Sequence, residues 1–169
     1  MNRNLIVNYV CMTAVTLCLA MAMAAQAANV EIEWLKPEKY QDIRGGDENQ
    51  KRFQERVIAA LTGYFKEAAA ETLPSDQTLY LTITNVDLAG DVEYFFTSFP
   101  RGVRVIRDIY FPSIEFNYEL RDAGGKVLKS GKENIKDMGY MFSGMAYINN
   151  PPFDYEKRLI EDWFRKNFR

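Results

Sequence analysis

Acidic residues surround a glycine in the segment TNVDLAGDVEYFF, residues 84–96, where a predicted strand ends. Asp87, Asp91 and Glu93 place carboxylate oxygens on both sides of Gly90, and hard cations such as calcium bind several oxygens from one tight loop. The segment lacks the denser acidic pattern and the closing glutamate of an EF-hand loop. A metal site that uses Asp87 and Asp91 is therefore one hypothesis for this segment.

The other interpretation of the same segment is structural. Asp87 would accept hydrogen bonds from nearby backbone N–H groups, and Gly90 would supply a left-handed turn residue. Asp91 would then pair with an arginine such as Arg104 or Arg107. The spacing favours this structural interpretation, in which the two aspartates shape the exit of the chain from a strand.

Paired carboxylates can also catalyse hydrolysis. In glycosidases, two of them face each other across a cleft at a separation of roughly 5 to 10 Å. One hypothesis for the function, the alternative to the binding role preferred below, is therefore a carboxylate-dependent or metal-assisted envelope hydrolase centred on Asp87 and Asp91. The candidate acids are Asp87, Asp91, Asp108, Glu115 and Asp137.

The residue types that are missing narrow the chemistry further. The chain contains no histidine, and its two cysteines, Cys11 and Cys18, lie in the N-terminal segment. This excludes thiol nucleophiles, Ser/His/Asp triads and the usual zinc sites from the rest of the chain, and no cofactor is predicted. The 21 Lys and Arg residues nearly balance the 23 Asp and Glu residues, without a block of like charges, so nucleic acid is not a predicted partner.

Residues 1–27 have the features of a secretory signal peptide. Arg3 precedes a long apolar stretch, and Ala25-Gln26-Ala27 has the small-residue form of a cleavage site. The stretch is also long enough for a retained anchor, but its small-residue exit favours removal. We therefore expect cleavage between Ala27 and Ala28, a periplasmic location, no transmembrane segment after removal of the signal, and one domain over residues 28–169.

The patterning of the mature chain predicts an α+β fold. Apolar residues that recur with a period of 3.6 predict a helix of about five to six turns from Gln50, capped by Asp47 or Asn49. The same period predicts a second helix after Pro151-Pro152. We expect a mainly antiparallel sheet of four to five strands with two helices packed on one face. Alternation predicts strands at residues 30–34, 78–84 with a bulge before 86, 103–109, 114–121 and 126–136.

Two connecting segments are rich in aromatic or methionine side chains. The rings of residues 94–99 cannot all face inward, and exposed aromatic clusters mark binding sites. Met138, Met141 and Met145 are soft ligands that suit Cu(I), although alternating rings favour a packed loop instead. The candidate binding residues are Tyr94, Phe96, Phe99, Arg101, Met141 and Tyr147.

Four blocks of the sequence resemble domain-of-unknown-function family 3016, exported proteins of proteobacteria. They occur in the family's order and span nearly all of the mature chain. The resemblance implies an exported periplasmic domain and supplies no catalytic residues. The blocks are VEIEWLKPEKYQDI (30–43), VDLAGD (86–91), IRDIYFPSIEFNYELRDAGGKVLKSGKENIKDM (106–138) and YEKRLIEDWF (155–164).

The preferred functional hypothesis is a non-catalytic binding or interaction module of the cell envelope. It is motivated by the absence of histidine and cysteine from the mature chain and by two aromatic loops. These are residues 94–99, with Arg101 and Arg104 beside them, and residues 138–147, which contain Gly139 and Gly144. The predicted partner is an envelope protein, peptidoglycan or a small ligand.

Overall fold

Two α-helices and six strands form the part of the chain that the computed structural model describes, residues 29–94, 102–142 and 152–168. The helices are α1 (Gln50–Thr72) and α2 (Asp154–Phe168). The strands are β1 (Asn29–Trp34), β2 (Thr78–Asp87), β3 (Asp91–Glu93), β4 (Val103–Val105), β5 (Ser113–Arg121) and β6 (Val127–Lys136).

The strands form a four-stranded sheet in the order β1-β2-β5-β6 and a separate two-stranded ribbon, β3–β4. The predicted α+β class is confirmed, and the sheet is mainly antiparallel because β2, β5 and β6 pair in that way. The edge strand β1 pairs parallel to β2, so the sheet is mixed. The helix α1 lies between these two strands in sequence and supplies the crossover that parallel pairing requires.

Strand β2 contains the bulge that the sequence predicted. Its buried residues alternate up to Ile83, the register with β5 then shifts between Ile83 and Asn85, and Val86 is buried again. An extra residue in one strand shifts the alternation in this way and bends the strand. The bulge therefore turns the last residues of β2, including Asp87, at the end of the sheet.

The two helices bury the apolar stripes that their periodicity predicted. In α1 the predicted cap at Asn49 is confirmed, because its side chain accepts a hydrogen bond from the Arg52 N–H at 3.1 Å. Rings of both helices contact one residue of β5: Phe65 of α1 and Trp163 of α2 lie edge-on to Phe116, at ring-centroid distances of 5.8 and 4.9 Å. Phe116 thus lies at the centre of the core.

The predicted strand at residues 103–109 is shorter in the structure, where β4 ends at Val105. The chain turns at this point, because the Tyr110 N–H donates to the Arg107 carbonyl at 2.9 Å and the Asp108 side chain accepts from the Ile109 N–H at 3.0 Å. These local bonds replace ladder bonds and end the strand.

Several connections meet at one end of the main sheet, which we call the loop end. Here β1, β2 and β6 finish and β5 begins, since Asp87 lies opposite Ser113 and Ser113 lies opposite Lys136. The described parts of the connections 35–49, 88–112 and 137–153 all leave the sheet or return to it here. Within the described ranges, no helix combines the length and apolarity needed to cross a membrane.

Candidate functional site

The chain leaves β2 at the loop end through a turn of residues 88–90. Gly90 has a φ of 79°, the left-handed conformation that the sequence predicted for it. Its N–H donates to the Tyr110 carbonyl at 2.9 Å, and a Cβ at this position would lie 2.6 Å from the Val105 carbonyl oxygen. Glycine therefore allows the ribbon β3–β4 to lie directly against the turn.

Asp87 is half-buried, and the structure gives it a different partner from the predicted one. Its Oδ2 accepts a hydrogen bond from the Gln41 side-chain amide at 2.7 Å rather than from a backbone N–H. Burial raises the pKa of Asp87 to about 6, and repulsion from Asp42 and Asp91 acts in the same direction. Arg104 and Arg44 oppose this rise. Asp87 is thus a carboxyl group that changes its charge between mildly acidic and neutral pH.

Asp91 forms an ion pair with Arg44, and its Oδ1 also accepts from the Val92 N–H. The predicted pairing with an arginine occurs, but the partner is Arg44 rather than Arg104 or Arg107. In the ribbon, Asp91 lies opposite Val105 and Val92 lies opposite Arg104, so the side chains of Asp91 and Arg104 point to opposite faces.

Asp42 holds both arginines of the site, although the sequence analysis did not identify it. Its side chain is 5% exposed. Oδ1 accepts from Arg44 Nε at 3.1 Å, and Oδ2 accepts from Arg104 Nη1 at 2.7 Å. Its backbone is joined to the exit of β2 by hydrogen bonds to Val86 and Leu88. Asp42 therefore fixes the connection 35–49 to the end of β2.

The segment around Asp42 is buried, although most residues of the connection 35–49 are polar. Tyr40, Asp42 and Ile43 are all buried. The Tyr40 hydroxyl donates to the Ile83 carbonyl at 2.8 Å, which attaches the segment to β2. The two apolar residues that flank Asp42 and Gln41 were the signal in the sequence that this acid lies beneath the surface.

Glu156 is a second buried carboxylate that the sequence analysis missed. It is 1% exposed, and its Oε1 accepts from the Ala89 N–H at 2.7 Å. Burial raises the pKa of Glu156, whereas the Ala89 hydrogen bond and Arg104 lower it. Helical spacing was the available signal, because Glu156 lies four residues before Ile160 and seven before Trp163, in line with the buried stripe of α2.

Arg104 of β4 connects these groups. Besides Asp42, its guanidinium donates to the carbonyls of Gly90 and Arg44, both at 2.9 Å. We refer to Asp42, Arg44, Asp87, Asp91, Arg104 and Glu156 as the charged cluster. It joins the connection 35–49, the exit of β2, the ribbon and α2 at one place.

The charged cluster offers limited chemistry. Asp42 and Asp91 are held in ion pairs, so Asp87 is the member best suited to transfer a proton near neutral pH. In the described parts of the chain, no group of three or more Asp, Glu, His or Cys residues is arranged to hold a metal ion.

The remaining acids from the sequence analysis make local contacts. Asp108 accepts from the Ile109 N–H, and Asp137 accepts from the Gly139 N–H at 2.9 Å. Glu115 accepts from the Asn134 side chain at 3.2 Å, across the β5–β6 pair. Each of these acids thus has a hydrogen-bond partner in the described structure.

Beside the charged cluster, apolar side chains are exposed on two neighbouring segments. Phe142 is 83% exposed, and Ile109 and Met138 are each 65% exposed. We call this set the exposed apolar surface. Its members are Ile106, Ile109, Met138, Met141 and Phe142.

Hydrogen bonds hold the two segments together. The Tyr140 hydroxyl donates to the Arg107 carbonyl at 2.7 Å, and the Asp137 N–H donates to the Pro112 carbonyl at 3.3 Å. Tyr140 is buried, lies edge-on to Tyr155, and has its pKa raised by burial to about 12, so its hydroxyl remains a donor. Tyr140 thus fastens residues 137–142 to residues 106–112.

Two of the six predicted binding residues lie within the described structure. Tyr94 at the end of β3 and Met141 are both exposed, by 56% and 47%. Met138 is 65% exposed and Met141 is 47% exposed, so the packed role that the sequence favoured does not hold for them. The buried residue of this segment is Tyr140, which lies between them. The other predicted residues, Phe96, Phe99, Arg101, Met145, Tyr147 and the cleavage residues Ala27 and Ala28, lie outside the described residues.

Comparison with known proteins gave one family. The family model described as "Protein of unknown function (DUF3016)" matches residues 28–166. Searches of curated proteins and of solved structures gave no match.

Proposed function

Since the chain belongs to the DUF3016 family, whose function is unknown, we propose that it is an exported, non-catalytic binding domain of the cell envelope that contacts a protein partner. The contact region is the exposed apolar surface at the loop end. The exposure of Phe142, Ile109 and Met138 on segments that are fastened together carries this proposal.

The exposure is large for apolar side chains of this size. Burying apolar area in an interface contributes roughly 25 cal/mol per Å². Phe142 is 83% exposed, so most of its apolar area is still accessible and would contribute this free energy when a partner covers it. Because Tyr140 and Pro112 already fix the backbone of both segments, little ordering remains to oppose binding.

The chemistry of the surface favours a protein over a small ligand. Aromatic residues and methionine are enriched at protein interfaces, whereas small-molecule sites are concave and enclosed. Ile109 and Met138 lie in turns and Phe142 ends a short 3-10 helix, Tyr140–Phe142, and all three are exposed by 65% or more. If the partner were peptidoglycan or a small ligand instead, the capture experiment described below would give a different result.

Two further features belong to the proposal. Export is supported by the apolar segment at residues 1–27 and by the family match, which starts at residue 28. We also take α1 and α2 to lie on the same face of the sheet, since rings of both helices contact Phe116.

The proposal is tested by substitution with a matched control. The double variant Ile109→Ser and Phe142→Ser removes two exposed residues of the surface, and Leu128→Ser removes a residue that is 46% exposed on β6, near the opposite end of the sheet. Tagged proteins are used to capture partners from an envelope extract, and the captured proteins are quantified.

We expect the double variant to lose at least about 90% of the captured partner, because interface cores carry most of the binding free energy. The Leu128→Ser variant should retain it, and both variants should melt near the wild-type temperature. Equal capture by the wild type and the double variant would overturn the proposal. Capture of glycan fragments alone would identify peptidoglycan as the partner instead.

The alternative function, a carboxylate-dependent or metal-assisted envelope hydrolase centred on Asp87 and Asp91, is favoured by one observation. The raised pKa of Asp87 suits a general acid. In its metal-assisted form, calcium or magnesium would bind the folded chain and raise its melting temperature, and a chelator would reverse the effect. A melting temperature that is insensitive to all three would argue against that form.

A further inference from the structure

The charged cluster contains more acids than bases. Four carboxylates, of Asp42, Asp87, Asp91 and Glu156, share the guanidinium groups of Arg44 and Arg104. If all four were ionised, two negative charges would remain in a cluster in which Asp42 and Glu156 are buried. Such an excess favours uptake of a proton by one of the carboxyl groups.

Charged groups face Asp87 from several elements. Asp42 and Arg44 belong to the connection 35–49, Asp91 to β3 and Arg104 to β4. Glu156 of α2 reaches the same turn through Ala89, and on the sheet side Ser113 separates Asp87 from the exposed Lys136 of β6. Asp87 therefore lies where acids of three other segments meet, and it is not engaged in an ion pair among the described residues.

The ribbon depends on this cluster for its attachment. Strands β3 and β4 have three residues each, and two-stranded ribbons of that size are marginal by themselves. Arg104 of β4 is bound by Asp42 and by the Gly90 and Arg44 carbonyls, and Asp91 of β3 is bound by Arg44. Both strands are thus held by arginines whose partners face Asp87.

We propose that the charged cluster is a proton-responsive clamp, in which protonation of Asp87 tightens the attachment of the ribbon β3–β4 and its ionisation loosens it. Ionised Asp87 repels Asp42 and Asp91 and competes with them for Arg104 and Arg44. Neutral Asp87 leaves both arginines to Asp42 and Asp91, and it still accepts the hydrogen bond of Gln41.

The pKa of Asp87 supports this direction. Burial first, and then Asp42 and Asp91, raise it from 3.8 to about 6 in the folded chain. A carboxyl group with a raised folded-state pKa stabilises the fold fully below the unfolded pKa, and this stabilisation is lost as the pH rises through the folded pKa. The clamp is therefore tighter at pH 5 than at pH 7.5.

The test is the hydrogen exchange of the ribbon amides of Asp91, Val103 and Val105, which belong to the two pairs that flank Val92 and Arg104. Exchange is expressed as protection factors so that the intrinsic pH dependence cancels. The wild type is compared with Asp87→Asn, which keeps the side chain neutral, and with Asp76→Asn, an exposed aspartate between α1 and β2. Protection is measured at pH 5.0 and 7.5.

We expect wild-type protection of the ribbon to fall about three- to tenfold between pH 5.0 and 7.5, as a shift of this size in one carboxyl group requires. Asp76→Asn should show the same fall, and Asp87→Asn should show little or none. An equal fall in Asp87→Asn, or no fall in the wild type, would overturn the proposal.

A second measurement does not depend on the folding of a variant. The carboxyl carbon of Asp87 is titrated by NMR in the wild-type protein, where a midpoint well above 4 is expected and a midpoint at or below 4 would overturn the clamp. Neither readout involves a partner, so failure of the clamp leaves the capture result for the exposed apolar surface unaffected.

Discussion

At the scale of single residues, the pair Asp42 and Arg104 holds the loop end together. Asp42 is almost fully buried, and the Arg104 side chain is 22% exposed. Removal of one partner from a buried pair is strongly destabilising, and Asp42 would keep only the half-exposed Arg44. Arg104 also satisfies the carbonyls of Gly90 and Arg44, so its loss affects more than one bond.

Arg104→Met should lower the free energy of unfolding by about 3 kcal/mol, since Asp42 loses its closest cation. The matched control is Arg56→Met, because Arg56 pairs with Glu48 at the surface, with 48% of its side chain exposed. Exposed pairs contribute less than about 1 kcal/mol. Urea unfolding of both variants measures the difference, and equal losses would contradict a special role for Arg104.

The residues of the cluster differ in how readily the sequence reveals them. Asp87 and Asp91 were found because they flank a glycine at a strand exit, a local pattern. Asp42 and Glu156 come from segments 45 to 69 residues away from Asp87, and their burial results from tertiary contacts. Spacing along the chain could indicate that they lie beneath the surface but could not indicate which arginine they meet.

At the scale of elements, the ribbon β3–β4 is the part of the fold that relies most on special backbone geometry. Gly90 and Gly102, at its two ends, both have positive φ values, 79° and 81°. A Cβ on Gly90 would lie 2.6 Å from the Val105 carbonyl, which is backbone and cannot move aside alone. The close approach of turn and ribbon thus requires glycine.

Gly90→Ala should therefore destabilise the protein by more than Gly125→Ala. Both glycines have positive φ, but a Cβ on Gly125 in the β5–β6 hairpin would meet nothing within 4 Å. The hairpin variant should lose about 1 kcal/mol from the left-handed conformation alone. The Gly90 variant should lose at least about 1 kcal/mol more, because the backbone must also shift. Urea unfolding compares them, and a Gly90→Ala loss no larger than that of Gly125→Ala would contradict the close approach.

The sequence predicted the regular elements better than their arrangement. Alternation in β5 and the apolar stripe of α1 are strong local signals, and both elements occur where they were expected. The parallel pairing of β1 with β2 was not predicted, because it joins residues almost 50 positions apart and leaves no mark on either strand. The early end of β4 depends on hydrogen bonds of Tyr110 and Asp108, which short patterns do not reveal.

At the scale of the whole molecule, the two ends of the sheet differ. The end with the Asp122–Gly125 hairpin is closed by a tight turn, in which the Asp122 side chain accepts from the Gly124 N–H at 2.9 Å. The loop end carries the charged cluster, with the exposed apolar surface beside it. This asymmetry is the basis of our proposal that partners bind at the loop end, beside a cluster that responds to pH.

The most direct test of this account is site-specific photocrosslinking in cells that produce the protein. A photoreactive phenylalanine analogue is placed at position Phe142 or Ile109, and at Leu128 as the control. We predict that positions 142 and 109 crosslink to the same protein of the envelope fraction and that position 128 does not. Crosslinking at 128 alone, equal crosslinking at all three positions, or none at 142 and 109, would contradict binding through the exposed apolar surface.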